Sequence, residues 1–461
     1  MKRFKKKIIV CLFIVIIALT SNSCRQNDEF IGIVEEAYTY ALPLVMMDLT
    51  RQSLTNVYEL DGVSHGAPIN QFYHIDYILT AEDRIAVRPN VDTIYSIAWL
   101  DLSDEPIVFR KPATDFYATA AIYDAYTNCY HVLGTGGLGG NEEAVYTIHG
   151  PNFYTEVLIG SYRVTIPTNM AFVVVRMECN DNLVEIQALQ REMTLIPLSE
   201  HQNPDYSLPA GTFDEKYLFE PFSKVQEMDI EMFFNTFNQL ALENPATEDD
   251  LPALERFTEI GVGAGLVFSL DDFQREDKKA FQRIPARLIP SLINFDSGRK
   301  VNGWEFFKSN IARFGIDYEF RAHVALVAIG ANPEEMAMYL STAVDSEQQP
   351  LHGNQNYVIR FETGQLPPNG AFWSITAYDT DWYLIPNENN KYSVSSRDNF
   401  FINPDGSIEI YLQYDMPDSE LLVNWLPIPR DIFKLTLRIY RPEESVLTGQ
   451  WEPPAVIKRS N

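Results

Sequence analysis

Phe433-Lys-Leu-Thr-Leu-Arg-Ile-Tyr440 alternates apolar and polar residues without a break. A period of two marks a strand with one buried face. Here Phe433, Leu435, Leu437 and Ile439 point inward, and Lys434, Thr436, Arg438 and Tyr440 take the other face. Ser407-Ile-Glu-Ile-Tyr-Leu-Gln413 nearly repeats the pattern behind Asn403-Pro-Asp-Gly-Ser407, whose residue types favour a turn. Short strands joined by Pro- and Gly-rich loops fit a sandwich or jelly roll. Residues 346–461 therefore read as a C-terminal β-sandwich domain.

Upstream the period changes. From about 220 to 345 it is helical: Phe233, Phe237, Leu240 and Ala241 share one face. Ser269 with Asp272 resembles a capping box, and Pro285 is expected to kink or interrupt the run behind it. Asn332-Pro-Glu-Glu335 supplies an N-cap, a Pro at the first helical position and acids in the first turn, which predicts a helix start. Further upstream, runs such as Phe116-Tyr-Ala-Thr-Ala-Ala-Ile-Tyr123 and Ala171-Phe-Val-Val-Val-Arg176 read as strands. Glu35 to Thr50 looks helical, with Pro43 as a kink or boundary. The expected fold class is α+β: an N-terminal β-rich domain (35–219), a mainly helical segment (220–345) and the C-terminal sandwich.

The first residues carry an address. Lys2, Arg3, Lys5, Lys6 and Lys7 precede an apolar run from Ile8 to Leu19, too short to span the roughly 30 Å bilayer core. A basic start, a short apolar run and then small polar residues predict a signal peptide over 1–23. Ser23-Cys24 resembles a lipobox, without the usual Leu at Ser21, and similar loose forms resemble those of Bacteroidetes-type bacteria. Cys24 is the expected lipidation site, residues 24–34 a tether, and the address an outer-membrane envelope lipoprotein.

The chain has 461 residues, 46% of them apolar, enough for two or three domains with real cores. Losing residues 1–23 removes five positive charges and no negative one, taking the net charge from −27 to −32. Such a body repels phosphate backbones and anionic lipid alike. Nucleic acid is excluded as a partner, and only the N-terminal lipid is expected to touch the membrane. Cys129 and Cys179 lie in apolar strand-like runs and read as buried free thiols.

Several runs resemble known families. Arg88-Pro-Asn-Val-Asp-Thr-Ile-Tyr-Ser96, Trp99-Leu-Asp-Leu102 and Asp124-Ala-Tyr-Thr-Asn128 look like domain of unknown function 1254. Ala371-Phe-Trp-Ser374, Tyr378-Asp379, Arg397-Asp398, Asn424-Trp-Leu-Pro427, Leu437-Arg-Ile-Tyr440 and Trp451-Glu-Pro-Pro454 look like domain of unknown function 1214. The resemblance implies a β-rich domain, a helical middle and a second β domain, and it implies no activity. One departure is Gly134-Thr-Gly-Gly-Leu-Gly-Gly140, where family members often carry an Arg-Thr-Thr-like stretch.

No catalytic motif is intact. Gly62-Val-Ser-His-Gly66 matches a nucleophile elbow but lacks the strand and helix that elbow requires. Gly134 to Gly139 matches a dinucleotide fingerprint, yet a strand rather than a helix is expected after it. None of the seven histidines has a metal-ligand spacing, so no metal or other cofactor is expected. Arg88, Asn90, Asp92 and Tyr95, with Asp124, Tyr126 and Asn128, form the candidate ligand-binding set; the same residues could simply fasten loops. Asp92 and Asp124 could also serve a hydrolase or lyase as an acid/base pair. Trp373, Trp382, Trp425 and Trp451 could stack on sugars or fill a core. The expectation is a lipid-anchored binder of a small molecule, glycan or protein partner, with a secreted enzyme or a homo-oligomeric structural unit as alternatives.

Overall fold

The structure is a computed structural model that describes residues 30–60, 65–84, 87–180, 182–296 and 298–459. The signal peptide, Cys24, and Gly62 to Ser64 of the elbow-like motif lie outside the described residues.

The first sandwich pairs a six-stranded sheet with a four-stranded one. The larger runs, in spatial order, Tyr73–Ile75, Thr93–Asp101, Met170–Glu178, Ala118–Tyr123, Cys129–Gly134 and Leu138–Gly139. The smaller runs Thr194–Pro197, Ile107–Lys111, Ala144–His149 and Tyr162–Thr165. Alternation in Met170–Glu178 explains how the larger sheet is used. Ala171, Val173, Val175 and Met177 fill the sandwich core, while Met170, Phe172 and Val174 face the helices. A strand buried on both faces reads as a continuous apolar run, as this one does. Arg176, charged yet buried within this strand, lies on the second face.

The helical layer is built on Phe30–Leu54, Ile230–Glu243, Leu251–Thr258, Ile284–Ile293 and Tyr318–Val327. Phe30–Leu54 is long and apolar enough to cross a membrane, but 67% of its most apolar window is buried within the protein. Tyr38 stacks on Phe233 with ring centroids 4.1 Å apart. Phe30, Ile31 and Ile33 pack against this core, so the residues expected as the end of a tether are helical from Phe30. The helix also runs through Pro43 without ending. As expected, Phe233, Phe237 and Ala241 face the core, with Leu240 beside them.

The C-terminal sandwich again has six and four strands. Its larger sheet runs Lys300–Val301, Trp304–Phe306, Ala337–Thr342, Lys434–Tyr440, Trp373–Tyr378 and Ser393–Ser395. The smaller runs Trp425–Pro427, Ile408–Gln413, Tyr357–Phe361 and Ile457–Lys458. Phe433, Leu435, Leu437 and Ile439 point into its core as expected. The boundary at 346 is corrected: three strands before it complete the sheet, because Ala337–Thr342 pairs along its whole length with Leu435 to Tyr440.

Two local expectations change, and a third is met. Asn332 to Glu335 starts no helix; the chain makes one turn and enters Ala337–Thr342. The Asn332 side chain is committed to tertiary hydrogen bonds instead, to Arg176 and Tyr339. Ser269 caps only the short turn Leu270–Asp272. Pro285 marks the expected interruption: Arg275–Phe281 ends just before it, and Ile284–Ile293 starts afresh with Pro285 in its first turn, where a missing N–H costs no hydrogen bond.

Candidate functional site

The candidate residues separate into two places. Arg88, Asn90, Asp92 and Tyr95 lie on the seam where the two sandwiches meet. Asp124, Tyr126 and Asn128 form a turn against the helical layer.

The seam begins where the chain enters Thr93–Asp101. Asn90 accepts the Asp92 amide through Oδ1 at 2.8 Å, which turns the chain into the strand. Its Nδ2 donates to the Tyr440 hydroxyl at 2.7 Å and to Thr93 Oγ1 at 3.0 Å, with Tyr95 Oη at 3.2 Å. Asp92 is fully buried. One of its oxygens accepts from Ser374 Oγ at 2.5 Å and the other from Arg397 Nη2 at 2.9 Å. Arg397 also pairs with Glu178 at 3.3 Å and lies over the Phe372 ring. Arg438 donates to Tyr378 Oη at 2.5 Å, Thr376 Oγ1 at 3.0 Å and the Arg88 carbonyl at 3.3 Å. Arg88 stacks over Trp382, 3.9 Å from the ring centre, and takes a left-handed φ of 53°. The bonds from Asn90 to Tyr440, from Ser374 and Arg397 to Asp92, and from Arg438 to the Arg88 carbonyl cross between the domains, the arrangement of a fastener.

Asp124 does the same work locally. Its Oδ1 accepts the amides of Tyr126 and Asn128, each at 2.8 Å, and its Oδ2 accepts Asn128 Nδ2 at 3.0 Å. Burial pushes its carboxyl up to about 6 against those hydrogen bonds. Tyr126 donates to the Asn244 carbonyl at 3.1 Å. Asp92 and Asp124 thus serve separate networks, with no geometry that makes them an acid/base pair. Trp373, Trp425 and Trp451 are buried core residues. After Gly134 the chain turns into Leu138–Gly139 and then the strand Ala144–His149, so the helix that a dinucleotide fingerprint requires does not follow the glycine loop. Cys129 and Cys179 are both buried free thiols. Among the described residues, no three His, Cys, Asp or Glu side chains gather as a metal set.

Sequence reasoning missed the partners: Arg176, Asn332, Ser374, Arg397, Arg438 and Tyr440. A signal existed for two of them. Arg176 stands inside an otherwise apolar strand run, and Arg438 on the polar face of the alternating run Phe433–Tyr440, where a buried charge must find polar company on the non-core face.

A separate recess of about 370 Å³ opens at the edge of the first sandwich. Leu60, Phe72, Leu195, Tyr206 and Leu208 supply apolar wall, with His74 and Arg191 among the polar groups. His74 Nδ1 lies 2.8 Å from Ser96 Oγ, which leaves Nε2 for other contacts. Burial lowers the His74 pKa to about 4, so its ring is neutral at pH 7.

The fold is shared with the VPA0106 protein from Vibrio parahaemolyticus, at TM-score 0.67 and 18% identity over 93% of this chain and 100% of that one. An uncharacterized protein from Burkholderia cenocepacia aligns at TM-score 0.43 and 12% identity, over 96% of this chain and 97% of that one. No curated protein matches the chain. Residues 69–197 match the family described as Protein of unknown function (DUF1254), and residues 336–444 match Protein of unknown function (DUF1214). The seam residues Asp92 and Arg397 come one from each matched region, and the chain belongs to the family in which a DUF1254 domain is followed by a DUF1214 domain.

Proposed function

We propose that the protein is an exported envelope binding protein, anchored by lipid at Cys24, that holds a small molecule in the recess beside His74. The observation that carries this reading is the recess itself. Its volume of about 370 Å³ falls in the range of small-molecule sites. Its lining combines apolar wall with a few polar groups, the mixture that gives a ligand both burial and orientation. Non-catalytic binding fits better than hydrolysis, because both oxygens of Asp92 are engaged by Ser374 and Arg397. The basic and apolar start of the chain and Ser23-Cys24 support the export and the anchor.

The test is native mass spectrometry of the full chain, extracted from its own membranes in mild detergent. A co-purifying small molecule is expected in the wild type and absent from Leu208→Trp, which fills the recess from its exposed rim. Equal occupancy in both proteins, or none in either, overturns the reading. Cys24→Ser should move the protein from the membrane to the soluble fraction; retention at the membrane overturns the anchor.

A further inference from the structure

The recess beside His74 is the open mouth of the first sandwich. Both of its flanks are edge strands, Tyr73–Ile75 of the larger sheet and Thr194–Pro197 of the smaller. Its inner wall is core, since Phe72, Met193 and Leu195 belong to the interior of that sandwich. Its rim is apolar as well: Leu60 and Leu208 are 49% and 53% exposed. Just outside, Tyr58 and Phe213 are exposed on two loops that the Gly211 amide ties together by donating to the Tyr58 carbonyl at 2.7 Å. Apolar surface therefore leads from solvent into the sandwich.

The lining carries charge of one sign. Arg191 is exposed and makes none of the hydrogen bonds or ion pairs among the described residues. No carboxylate lines the recess, in a chain with 63 acidic residues against 36 basic ones. Acids do stand nearby. Glu105 is engaged by Ser199 and Glu200 by Asn203, while Asp76 and Glu192 are exposed outside the lining. The turn that carries Arg191 is fixed by its neighbour. Gln190 is buried, and its Nε2 donates to the Tyr95 carbonyl at 3.0 Å and to Ser96 Oγ at 3.1 Å.

That last bond also assigns the His74 tautomer. The Ser96 hydroxyl accepts from Gln190, and the acceptor left for its own hydrogen is His74 Nδ1, 2.8 Å away. The ring proton then sits on Nε2, which has no partner within the protein and is not closed off from water. Burial, with a smaller push from the Arg191 charge, keeps the ring neutral against the pull of Asp76. The recess thus offers a cation and a neutral N–H donor at an apolar mouth.

We infer that the ligand of this recess, on the reading proposed above, is a small carboxylic acid with an apolar body, its carboxylate on Arg191 and His74 Nε2 and its body between the two edge strands. A guanidinium fork takes two lone pairs of a carboxylate and leaves others for a ring N–H. A phosphate monoester, close to doubly charged at neutral pH, would meet only one cation. An amine would find no counter-charge in the lining, and a heavily hydroxylated body would bury its hydroxyls against apolar wall.

Hexanoate is the probe, with hexanol and hexylamine as neutral and cationic counterparts. Each is titrated calorimetrically at neutral pH into the full chain in detergent, against a protein-free detergent blank. Hexanoate is expected to bind, hexanol at least about fivefold more weakly, and hexylamine not at all. Arg191→Gln, at an exposed position, should fold as the wild type does, weaken hexanoate at least about fivefold and leave hexanol unchanged. Leu208→Trp should abolish binding of both. Equal binding of hexanoate and hexanol, or hexanoate binding unchanged in Arg191→Gln, overturns the acid; if Leu208→Trp still abolishes that binding, the recess itself stands. Hexanoate binding that survives Leu208→Trp lies elsewhere and overturns the inference. A co-purifying molecule that is lost from Leu208→Trp and proves neutral or cationic overturns the acid and keeps the recess. Absence of hexanoate binding overturns the acid too, and with no co-purifying molecule either, the recess reading falls with it.

Discussion

Asp92 Oδ1 and Arg397 Nη2 lie 2.9 Å apart, and the two residues belong to different sandwiches. Asp92 is fully buried, and its second oxygen is held by Ser374 from the same opposing domain. The pair therefore reports on whether the domains are fastened. Removing one partner leaves the other charge buried without compensation, which typically costs about 3–5 kcal/mol. Arg397→Ala is expected to lower the unfolding free energy by about that amount in urea titrations. Asp92→Asn added to it should cost far less than it does alone, since the charge to be compensated is gone. A change under about 0.5 kcal/mol in Arg397→Ala would remove the fastening role.

Gly66 is the last residue of the elbow-like motif, and its requirement is steric. A Cβ there would stand 1.9 Å from the Leu54 carbonyl oxygen, a backbone atom that cannot swing away. Gly66→Ala should destabilise the protein by about 2 kcal/mol or more. Gly32, in the helix Phe30–Leu54, has nothing within 4 Å of its would-be Cβ. Gly32→Ala should instead stabilise by about 0.5–1 kcal/mol through helix propensity. Thermal melts of the two variants are expected to move in opposite directions.

His74 gives a pH signature. Burial lowers its pKa from 6.5 to about 4. Between those values the unfolded chain binds a proton that the folded ring refuses, so stability falls as pH drops from about 6.5 toward 4. Relative to His74→Gln, the wild type should lose on the order of 2 kcal/mol more between pH 7 and pH 4. Parallel stability–pH curves for the two proteins would contradict this.

Asn332 joins Arg176 to Tyr339 across the domains and is fully buried. Asn332→Ala leaves a guanidinium N–H and a tyrosine hydroxyl without this partner, a loss of about 2–3 kcal/mol. Chemical denaturation should show it as a lower midpoint. If Asn332 acted merely as a helix cap, Asn332→Ser would retain full stability; the seam geometry expects it to fall nearly as far as Asn332→Ala.

The parts of the fold legible in the sequence were those with a local period. Phe433 to Ile439 placed its apolar side chains in the core because alternation fixes which face each residue takes. Phe233, Phe237 and Ala241 followed the helical period in the same way. The sheet boundary was less visible, because Ala337–Thr342 joins a strand about a hundred residues later and nothing local marks that pairing. Asn332 is the clearest failure. Its residues form a good helix start, and two long-range hydrogen bonds outweighed a local preference worth about 1 kcal/mol.

The candidate site divides along the same line. Arg88, Asn90, Asp92 and Tyr95 were recognisable as a dense polar run, and so were Asp124, Tyr126 and Asn128. By itself the sequence determined the α+β class, the inward faces of the main strands and helices, and the acidity of the surface, since periodicity and charge are properties of neighbouring residues. Only the tertiary structure decided that Asp92 is tied to Ser374 and Arg397, that Asp124 holds a turn, and that Arg176 stands without a counter-ion between two sandwiches. Which charges are paired depends on residues hundreds of positions apart meeting in a low-dielectric interior, and no local pattern encodes that meeting.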